Sequence, residues 1–142
     1  GDKTITLSYD YKAIRWIQEN IQGTPVIMEA HDTEYRWGNR ISIYTGLPSV
    51  VGWNWHQRQQ RAINPWEGVF ERIDDVNEFY STDDLITVKT ILSKYGVDYI
   101  IVGELERALY PDIGLNKFAE YAGKLWQSVY RDGTTIIYKV II

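Results

Sequence analysis

Two short apolar runs rich in β-branched residues constrain the fold of this chain more than any other feature. Val26–Met28 and Val97–Val102 each follow an amphipathic helical pattern, and turn residues separate each run from the helix before it. Short apolar runs of this kind are typical of strands that are buried on both faces of a sheet. A much weaker strand candidate spans Ser49–Gly52. The two strong runs therefore predict a buried sheet covered by helices.

Helical patterns alternate with these runs. Ser8 is suited to cap a helix that ends near Gln22, and Asn64-Pro65-Trp66-Glu67 has the capping chemistry of a second helix start. Ser81-Thr82-Asp83-Asp84 resembles a capping box, and Gly96 is a favourable residue to end the helix that follows. The apolar spacing then predicts a short helix over Leu115–Ala122.

The C-terminal part of the chain has the pattern of an antiparallel hairpin. Two strands are predicted over Leu125–Arg131 and Thr134–Ile142, with Asp132-Gly133 as a two-residue turn between them. Helices that alternate with buried strands, followed by a hairpin, indicate a three-layer, Rossmann-like α/β sandwich with a mixed sheet. Residues 1–142 contain no repeat or linker, so we expect a single soluble domain.

Composition excludes several classes of protein. The 142 residues include no Cys, so a disulfide and a thiolate metal site are ruled out. The net charge of −4 argues against a nucleic-acid partner, and no run of about 18 apolar residues could span a membrane. The chain begins at Gly1 rather than Met, and we expect that it was excised from a larger protein.

Residues Tyr35–Trp66, here called the Arg/Trp segment, differ sharply from the rest of the chain. This segment contains no Asp, Glu or Lys, and its Gly and Pro residues indicate loops. Its arginine and tryptophan residues are Arg36, Arg40, Arg58, Arg61, Trp37, Trp53, Trp55 and Trp66. Guanidinium groups match phosphate or carboxylate, and Trp rings stack on sugars or on Arg. The segment therefore favours an anionic or glycosylated ligand such as a sugar phosphate or a lipid-linked sugar.

A structural interpretation of the same segment is also open. Its Trp side chains would then belong to the core, and its Arg side chains would pair with the acidic stretch Glu67–Asp84. That stretch contains seven acidic residues and only Arg72 as a cation.

Acidic residues follow both predicted strands. Glu29 and Glu104 lie just beyond the carboxyl ends of the strands, where open α/β sheets usually bind ligands. Glu104 and Glu106 could form a carboxylate pair for acid–base chemistry, but on a helix start they are more simply favourable charges. His31 lies near further acids, yet such clusters more often belong to solvated loops, so we expect no metal. With no phosphate loop or nucleophile elbow, no cofactor or catalytic residue is predicted.

Two stretches carry a resemblance to a known family. They are Asn39–Trp53, continued by His56, Gln59 and Arg61, and Tyr95–Arg107. Both resemble the C-terminal soluble region of the YYY family of multi-pass membrane proteins from Chloroflexi and archaea. That family is of unknown function and is similar to membrane glycosyltransferases that use lipid-linked sugars, including oligosaccharyltransferases.

The resemblance implies a location more than a reaction. It implies a domain at the C-terminus of a larger membrane protein, on the extracytoplasmic side, with the membrane-embedded part of that chain as its partner. In such glycosyltransferases the catalytic carboxylate and the metal ligands lie largely in the membrane part, so the isolated domain is not expected to be an enzyme. By this analogy the ligand-facing residues are Arg40, Ser42, Thr45, Trp53, His56, Gln59 and Arg61.

The sequence departs from the oligosaccharyltransferase pattern at the motif that recognises the acceptor peptide. The Trp-Trp-Asp-Tyr-Gly run is absent, and Trp53-Asn54-Trp55 occupies a similar place without the Asp. Two other functions stay open: a structural interaction module of a membrane protein, and a stand-alone small-molecule-binding domain with a pocket at the strand ends.

Overall fold

The computed structural model describes residues 7–31, 41, 45–51 and 68–142. In this part of the chain the helices are α1 (Leu7–Asn20), α2 (Val69–Ser81), α3 (Leu85–Tyr95), α4 (Glu104–Leu109) and α5 (Asp112–Glu120). The strands are β1 (Val26–Met28), β2 (Val97–Val102), β3 (Trp126–Asp132) and β4 (Thr135–Val140).

The four strands form one mixed sheet in the order β1-β2-β4-β3. β1 pairs with β2 in parallel, and β4 pairs antiparallel with both β2 and β3. Ser49 adds a single parallel bridge to Ile27 on the outer edge of β1. The weak strand predicted over Ser49–Gly52 is therefore reduced to one bridge, with Val50 and Val51 in a turn and Gly52 outside the described residues.

Helices cover both faces of this sheet, which confirms the predicted three-layer α/β fold. On one face α1 contributes Ala13, Ile14 and Ile17 to a cluster with Ile27, Ile101 and Ile137. On the other face α2, α3, α4 and α5 pack against residues that alternate with these along the strands, such as Ile100 and Val102.

The predicted N-terminal helix and both strong strands are confirmed. α1 lies within one or two residues of its predicted ends, and Trp16 packs on Tyr130 of β3 with ring centroids 5.4 Å apart. Gly96 ends α3 in the left-handed conformation with φ 60°, as the sequence predicts.

The residues that precede α2 and α3 differ from the capping residues that the sequence predicts, and α5 begins at Asp112 rather than at Leu115. α2 begins at Val69 after Gly68, whose φ of 80° is not helical, so the predicted capping residue Asn64 does not start this helix. Residues 64–67 lie outside the described part of the chain. α3 is capped by Asp84, whose side chain accepts a hydrogen bond from the Ile86 amide, while Ser81 still belongs to α2.

The hairpin is confirmed with its turn shifted by one residue. Asp132 pairs with Thr135, so the two-residue loop is Gly133-Thr134 rather than Asp132-Gly133. Gly133 has φ 59° at the first loop position, where hairpin turns require positive φ.

Tyr80 of α2 joins the helical layer to both parallel strands. Its hydroxyl lies 2.9 Å from the Met28 carbonyl oxygen and 2.7 Å from the Ile101 carbonyl oxygen. Its ring stacks on Tyr110 at a centroid distance of 4.9 Å. This fully buried side chain therefore fixes how β1 and β2 sit beneath α2.

Lys117 of α5 is a buried cation held by main-chain oxygens. Its Nζ donates to the Gly114 carbonyl at 2.7 Å and to the Tyr80 carbonyl at 3.3 Å, and its side chain is 1% exposed. Nζ also lies 4.6 Å from the centre of the Phe118 ring. Burial lowers the pKa of Lys117 to about 8, because an apolar environment disfavours the ammonium form.

The low pKa of Lys117 predicts that stability increases with pH. Between pH 8 and 10.5 the unfolded chain holds a proton on Lys117 that the folded chain has released, so folding becomes more favourable as pH rises. We expect the free energy of unfolding to rise by about 2 kcal/mol between pH 8 and 9.5. Urea denaturation at several pH values in that window measures the slope.

Matched variants separate Lys117 from the other lysines. The variant Lys117→Met should lose this slope, whereas Lys124→Met, which replaces an exposed lysine, should keep it. An unchanged slope in Lys117→Met would contradict the assignment.

Candidate functional site

The carboxyl ends of β1 and β2 lie side by side. The two strands are parallel, with Met28 opposite Ile100, so the residues that follow them emerge at the same edge of the sheet. This is the edge at which open α/β sheets usually bind ligands. Glu29 follows β1, and Gly103 leads from β2 into α4.

Glu106 bridges the two strand ends. Its Oε1 accepts a hydrogen bond from the Gly103 amide at 2.7 Å, and its Oε2 accepts one from the Ala30 amide at 2.9 Å. The side chain is fully buried. A buried carboxylate that accepts two N–H bonds holds its partners more strongly than a neutral acceptor would.

The predicted site residue Glu104 lies at the same edge, but its carboxylate contacts the β3–β4 turn rather than the end of β1. It is part-exposed, and its Oε1 accepts a hydrogen bond from the Thr134 hydroxyl at 3.0 Å, in the β3–β4 turn. Arg107 also reaches that turn, where its Nε donates to the Thr134 carbonyl at 3.1 Å. The carboxylate bonded to the end of β1 is therefore that of Glu106. The sequence signal for this role is a Glu at the third position of a helix that follows Gly103.

Glu29 is bonded to the main chain at Ile41. Its Oε1 accepts a hydrogen bond from the Ile41 amide at 3.1 Å. Glu29 is 2% exposed, so its carboxylate is directed at the protein rather than at solvent. Ile41 is itself fully buried, in the cluster beneath α1.

Thr45, another predicted ligand residue, uses its hydroxyl within a local turn. Its Oγ1 donates to the Ile41 carbonyl at 2.6 Å and accepts a hydrogen bond from the Leu47 amide at 3.2 Å. The chain then passes along β1, where the Ile27 amide donates to the Pro48 carbonyl at 2.9 Å. Thr45 therefore shapes the path of residues 45–51 along the sheet edge.

Arg72 of α2 holds the C-terminal end of residues 45–51, a role that the sequence did not predict. Its Nη1 donates to the Val50 carbonyl at 2.9 Å, just before the chain enters residues 52–67. Its guanidinium carbon lies 4.8 Å from the centre of the Tyr95 ring. Burial lowers the pKa of Arg72, and nearby anionic groups oppose this effect. An Arg isolated in an acidic stretch was the only sequence signal.

Acidic residues of α2 contact the end of α3. Lys94 Nζ lies 2.7 Å from Glu71 Oε1 and 2.8 Å from Asp75 Oδ2, and the Tyr95 hydroxyl donates to Asp75. Burial, with the Asp75 carboxylate, raises the pKa of Tyr95 to about 12. Glu71 and Asp75 of α2 therefore pair with Lys94, a cation that lies outside the Arg/Trp segment.

Most of the predicted ligand residues fall where the structure gives no description. Of the predicted set, it places Glu29, Thr45 and Glu104. The residues outside the described ranges are Arg40, Ser42, Trp53, His56, Gln59 and Arg61. What the structure does define is how Ile41 and residues 45–51, in the middle of the Arg/Trp segment, are held.

The described residues contain neither a candidate metal site nor a candidate membrane-spanning helix. No cluster of three or more His, Asp or Glu side chains among them could hold a metal ion. No helix in the same ranges is long and apolar enough to cross a membrane.

Comparisons with known proteins give a structural similarity. No family model matches the chain, and no curated protein matches it in sequence. The chain is similar to the crystal structure of the C-terminal globular domain of an oligosaccharyltransferase from Archaeoglobus fulgidus, with a TM-score of 0.62 and 16% sequence identity. The match covers 98% of this chain and 100% of that one. The chain therefore shares its fold with a domain of an oligosaccharyltransferase.

Proposed function

We propose that this chain is a soluble accessory domain at the C-terminus of a membrane glycosyltransferase-like protein, on the extracytoplasmic side. In this proposal it helps to bind a sugar phosphate or the phosphate of a lipid-linked sugar, and it does not catalyse a reaction alone. The observation that carries the proposal is the end-to-end structural similarity to the C-terminal globular domain of an oligosaccharyltransferase. The resemblance to the YYY family of membrane proteins supports the same assignment.

The framework of the site supports a ligand at the strand ends. Two described parts of the Arg/Trp segment contact this framework: Ile41 is bonded to Glu29, and residues 48–50 run along the edge of β1. A segment rich in Arg that contacts the strand next to this edge supports an anionic ligand there. The proposed ligand contacts are Arg40, Ser42, Trp53, His56, Gln59 and Arg61, with Glu104 at the same edge.

The geometry of the strand-end acids bears on the alternative of a stand-alone enzyme. The Glu29 and Glu106 carboxylates both accept main-chain N–H bonds and are almost fully buried. This arrangement favours a supporting role over acid–base chemistry, which requires contact with a substrate proton.

The proposed partner is the membrane-embedded part of the parent chain. The match over the whole length of a domain of an oligosaccharyltransferase supports a place within a larger protein of this kind. A structural interaction module of the same protein is the second candidate function.

Removal of single guanidinium groups tests ligand binding. We expect Arg40→Ala and Arg61→Ala each to raise the Kd for farnesyl phosphate or glucose 1-phosphate about 10- to 100-fold, because a charged hydrogen bond contributes about 1.5 to 3 kcal/mol. Isothermal titration calorimetry measures the Kd. A preference for farnesyl phosphate would indicate a lipid-linked ligand, and a preference for glucose 1-phosphate would indicate a free one.

The control is Arg15→Ala, which removes an exposed guanidinium from α1. We expect this variant to bind both phosphates as the wild type does. Unchanged melting temperatures would show that the two site variants remain folded. If Arg40→Ala and Arg61→Ala unfold instead, these side chains are structural and the binding proposal fails.

A further inference from the structure

Two exposed arginine side chains lie at the edge of the sheet where β2 ends. Arg107 belongs to α4, which follows β2 directly, and Arg131 lies near the end of β3, opposite Ile136 of β4. In the part of the chain that the structure describes, neither guanidinium group forms an ion pair. Their N–H donors are therefore available to an anion from solution.

The strand register brings the two arginines to the same place. β4 pairs antiparallel with both β2 and β3, so β3 runs in the same direction as β2. Arg131 and Val102 both lie opposite Ile136, at the edge where the two strands end. Arg107 is held at this edge by its Nε, which donates to the Thr134 carbonyl at 3.1 Å in the β3–β4 turn. The two guanidinium groups therefore flank the start of β4.

Tyr138 of β4 gives a second indication that these two charges lie near each other. It follows Ile136 by two residues, so it is on the same face of the sheet as Arg131. Burial raises the pKa of Tyr138, and the charges of Arg131 and Arg107 oppose this rise. Both guanidinium groups are thus close enough to act on one phenol group. Like charges repel each other, and an anion bound between them would offset that repulsion.

We propose that Arg107 and Arg131 together bind a phosphate group. A guanidinium group offers planar N–H donors that match two phosphate oxygens, so two such groups can share one phosphate. The pair deepens the proposed function, on which this inference rests, because it gives the phosphate of a sugar phosphate or lipid-linked sugar a position at the strand ends. Both residues belong to the described framework and lie outside the Arg/Trp segment.

Glu104 makes this pair selective. Its Oε1 accepts a hydrogen bond from the Thr134 hydroxyl at 3.0 Å, and the carbonyl of the same threonine is bonded to Arg107. Among the described residues no donor is bonded to Glu104 Oε2. A carboxylate repels a bare phosphate ion but accepts a hydrogen bond from a sugar hydroxyl. The pair and Glu104 together therefore fit a phosphate that carries a sugar better than inorganic phosphate.

Removal of each charge tests the pair. We expect Arg107→Gln and Arg131→Gln each to raise the Kd for glucose 1-phosphate about tenfold, measured by isothermal titration calorimetry at low ionic strength. The control Arg15→Gln removes an exposed guanidinium from α1 and should leave the Kd unchanged. Wild-type affinity in either Arg107→Gln or Arg131→Gln would overturn the proposal, because the pair requires both groups.

Side-chain NMR signals locate the bound phosphate in the wild-type chain. We expect the Nε–H signals of Arg107 and Arg131 to shift when glucose 1-phosphate is added, while the signal of Arg15 stays fixed. Shifts confined to other arginines would overturn the proposal. This measurement needs no variant, so it decides the question even if a substitution at either position disturbs folding.

The role of Glu104 has its own readout. Glu104→Gln removes the repulsion of a bare phosphate and weakens the acceptor for a sugar hydroxyl. We expect the Kd for inorganic phosphate to move at least threefold closer to the Kd for glucose 1-phosphate. An unchanged ratio of the two Kd values would overturn the proposed contact between Glu104 and the sugar.

Farnesyl phosphate separates the arginine pair from the proposed function. A Kd that rises in the variants of the Arg/Trp segment but not in Arg107→Gln or Arg131→Gln would overturn the pair and leave the proposed function standing. If the wild type binds neither glucose 1-phosphate nor farnesyl phosphate, the proposed function fails, and the arginine signals in inorganic phosphate then decide whether the pair binds an anion. Tighter binding of farnesyl phosphate would assign the phosphate to a lipid, and tighter binding of glucose 1-phosphate would assign it to a free sugar phosphate.

Discussion

Replacement of Glu106 by methionine is expected to lower the free energy of unfolding by about 3 kcal/mol or more. Methionine has a similar shape but cannot accept the hydrogen bonds from the Gly103 and Ala30 amides. Both amides would then remain buried without their charged acceptor, and each such loss costs about 1 to 3 kcal/mol. For a domain of this size the melting temperature should fall by roughly 10 °C.

Two further variants make this expectation specific. Glu106→Gln retains one acceptor oxygen and should lose about half as much stability as Glu106→Met. Glu120→Gln, at the exposed end of α5, should melt as the wild type does. Thermal denaturation followed by circular dichroism measures all three. A change of 1 kcal/mol in the free energy of unfolding shifts the melting temperature by about 2 to 4 °C. If Glu106→Met melts within 2 °C of the wild type, the two hydrogen bonds to Glu106 contribute little to stability.

Gly114→Ala should destabilise the domain by about 3 kcal/mol, even though alanine favours helices. A Cβ atom at position 114 would lie 2.1 Å from the Tyr80 carbonyl oxygen and 2.6 Å from the Ser81 carbonyl carbon. These are main-chain atoms, so α5 would have to move away from the end of α2. The same Tyr80 carbonyl accepts a hydrogen bond from Lys117, which the displacement would also disturb.

The matched control lies two residues further along the same helix. Asn116 is exposed in α5, and Asn116→Ala should be neutral or slightly stabilising, because only helix propensity changes there. Chemical denaturation of both variants compares them directly. If Gly114→Ala were as stable as Asn116→Ala, the close approach of α5 to α2 would not be required for folding.

Local patterns were sufficient to predict the layers of the fold. The amphipathic pattern before Val26 predicted α1, and the β-branched run Val97–Val102 predicted the buried strand β2. These patterns are readable because burial of one helix face or of a whole strand requires apolar residues at fixed intervals. The three-layer arrangement follows from the order in which such elements occur.

The exact ends of the helices, and hydrogen bonds between residues far apart in the chain, could not be predicted from local patterns. Asn64 and Ser81 have suitable capping chemistry, yet Gly68 and Asp84 stand before the helices, because capping residues are common in loops as well. Glu104 and Glu106 are nearly equivalent in sequence. Only the parallel pairing of β1 with β2 brings the Ala30 amide to Glu106.

The sequence signal of Lys117 was equally ambiguous. Its place in α5 is compatible with a solvent-exposed side chain, and burial against Phe79 and Phe118 depends on the close contact of α5 with α2. The predicted contacts of the Arg/Trp segment stay predictions, apart from Thr45, whose hydroxyl is used within its own turn.

The two outer strands of the sheet influence whether copies of this domain can pair edge to edge and aggregate. The edge of β1 is occupied by the bridge to Ser49, and β3 is interrupted by a register shift between Ser128 and Tyr130. Uninterrupted, flat edges are the templates on which strands of other molecules add and aggregates grow. In the part of the chain that the structure describes, neither outer strand offers such a template over its full length. Edge-to-edge pairing between the described sheets of neighbouring copies is therefore disfavoured.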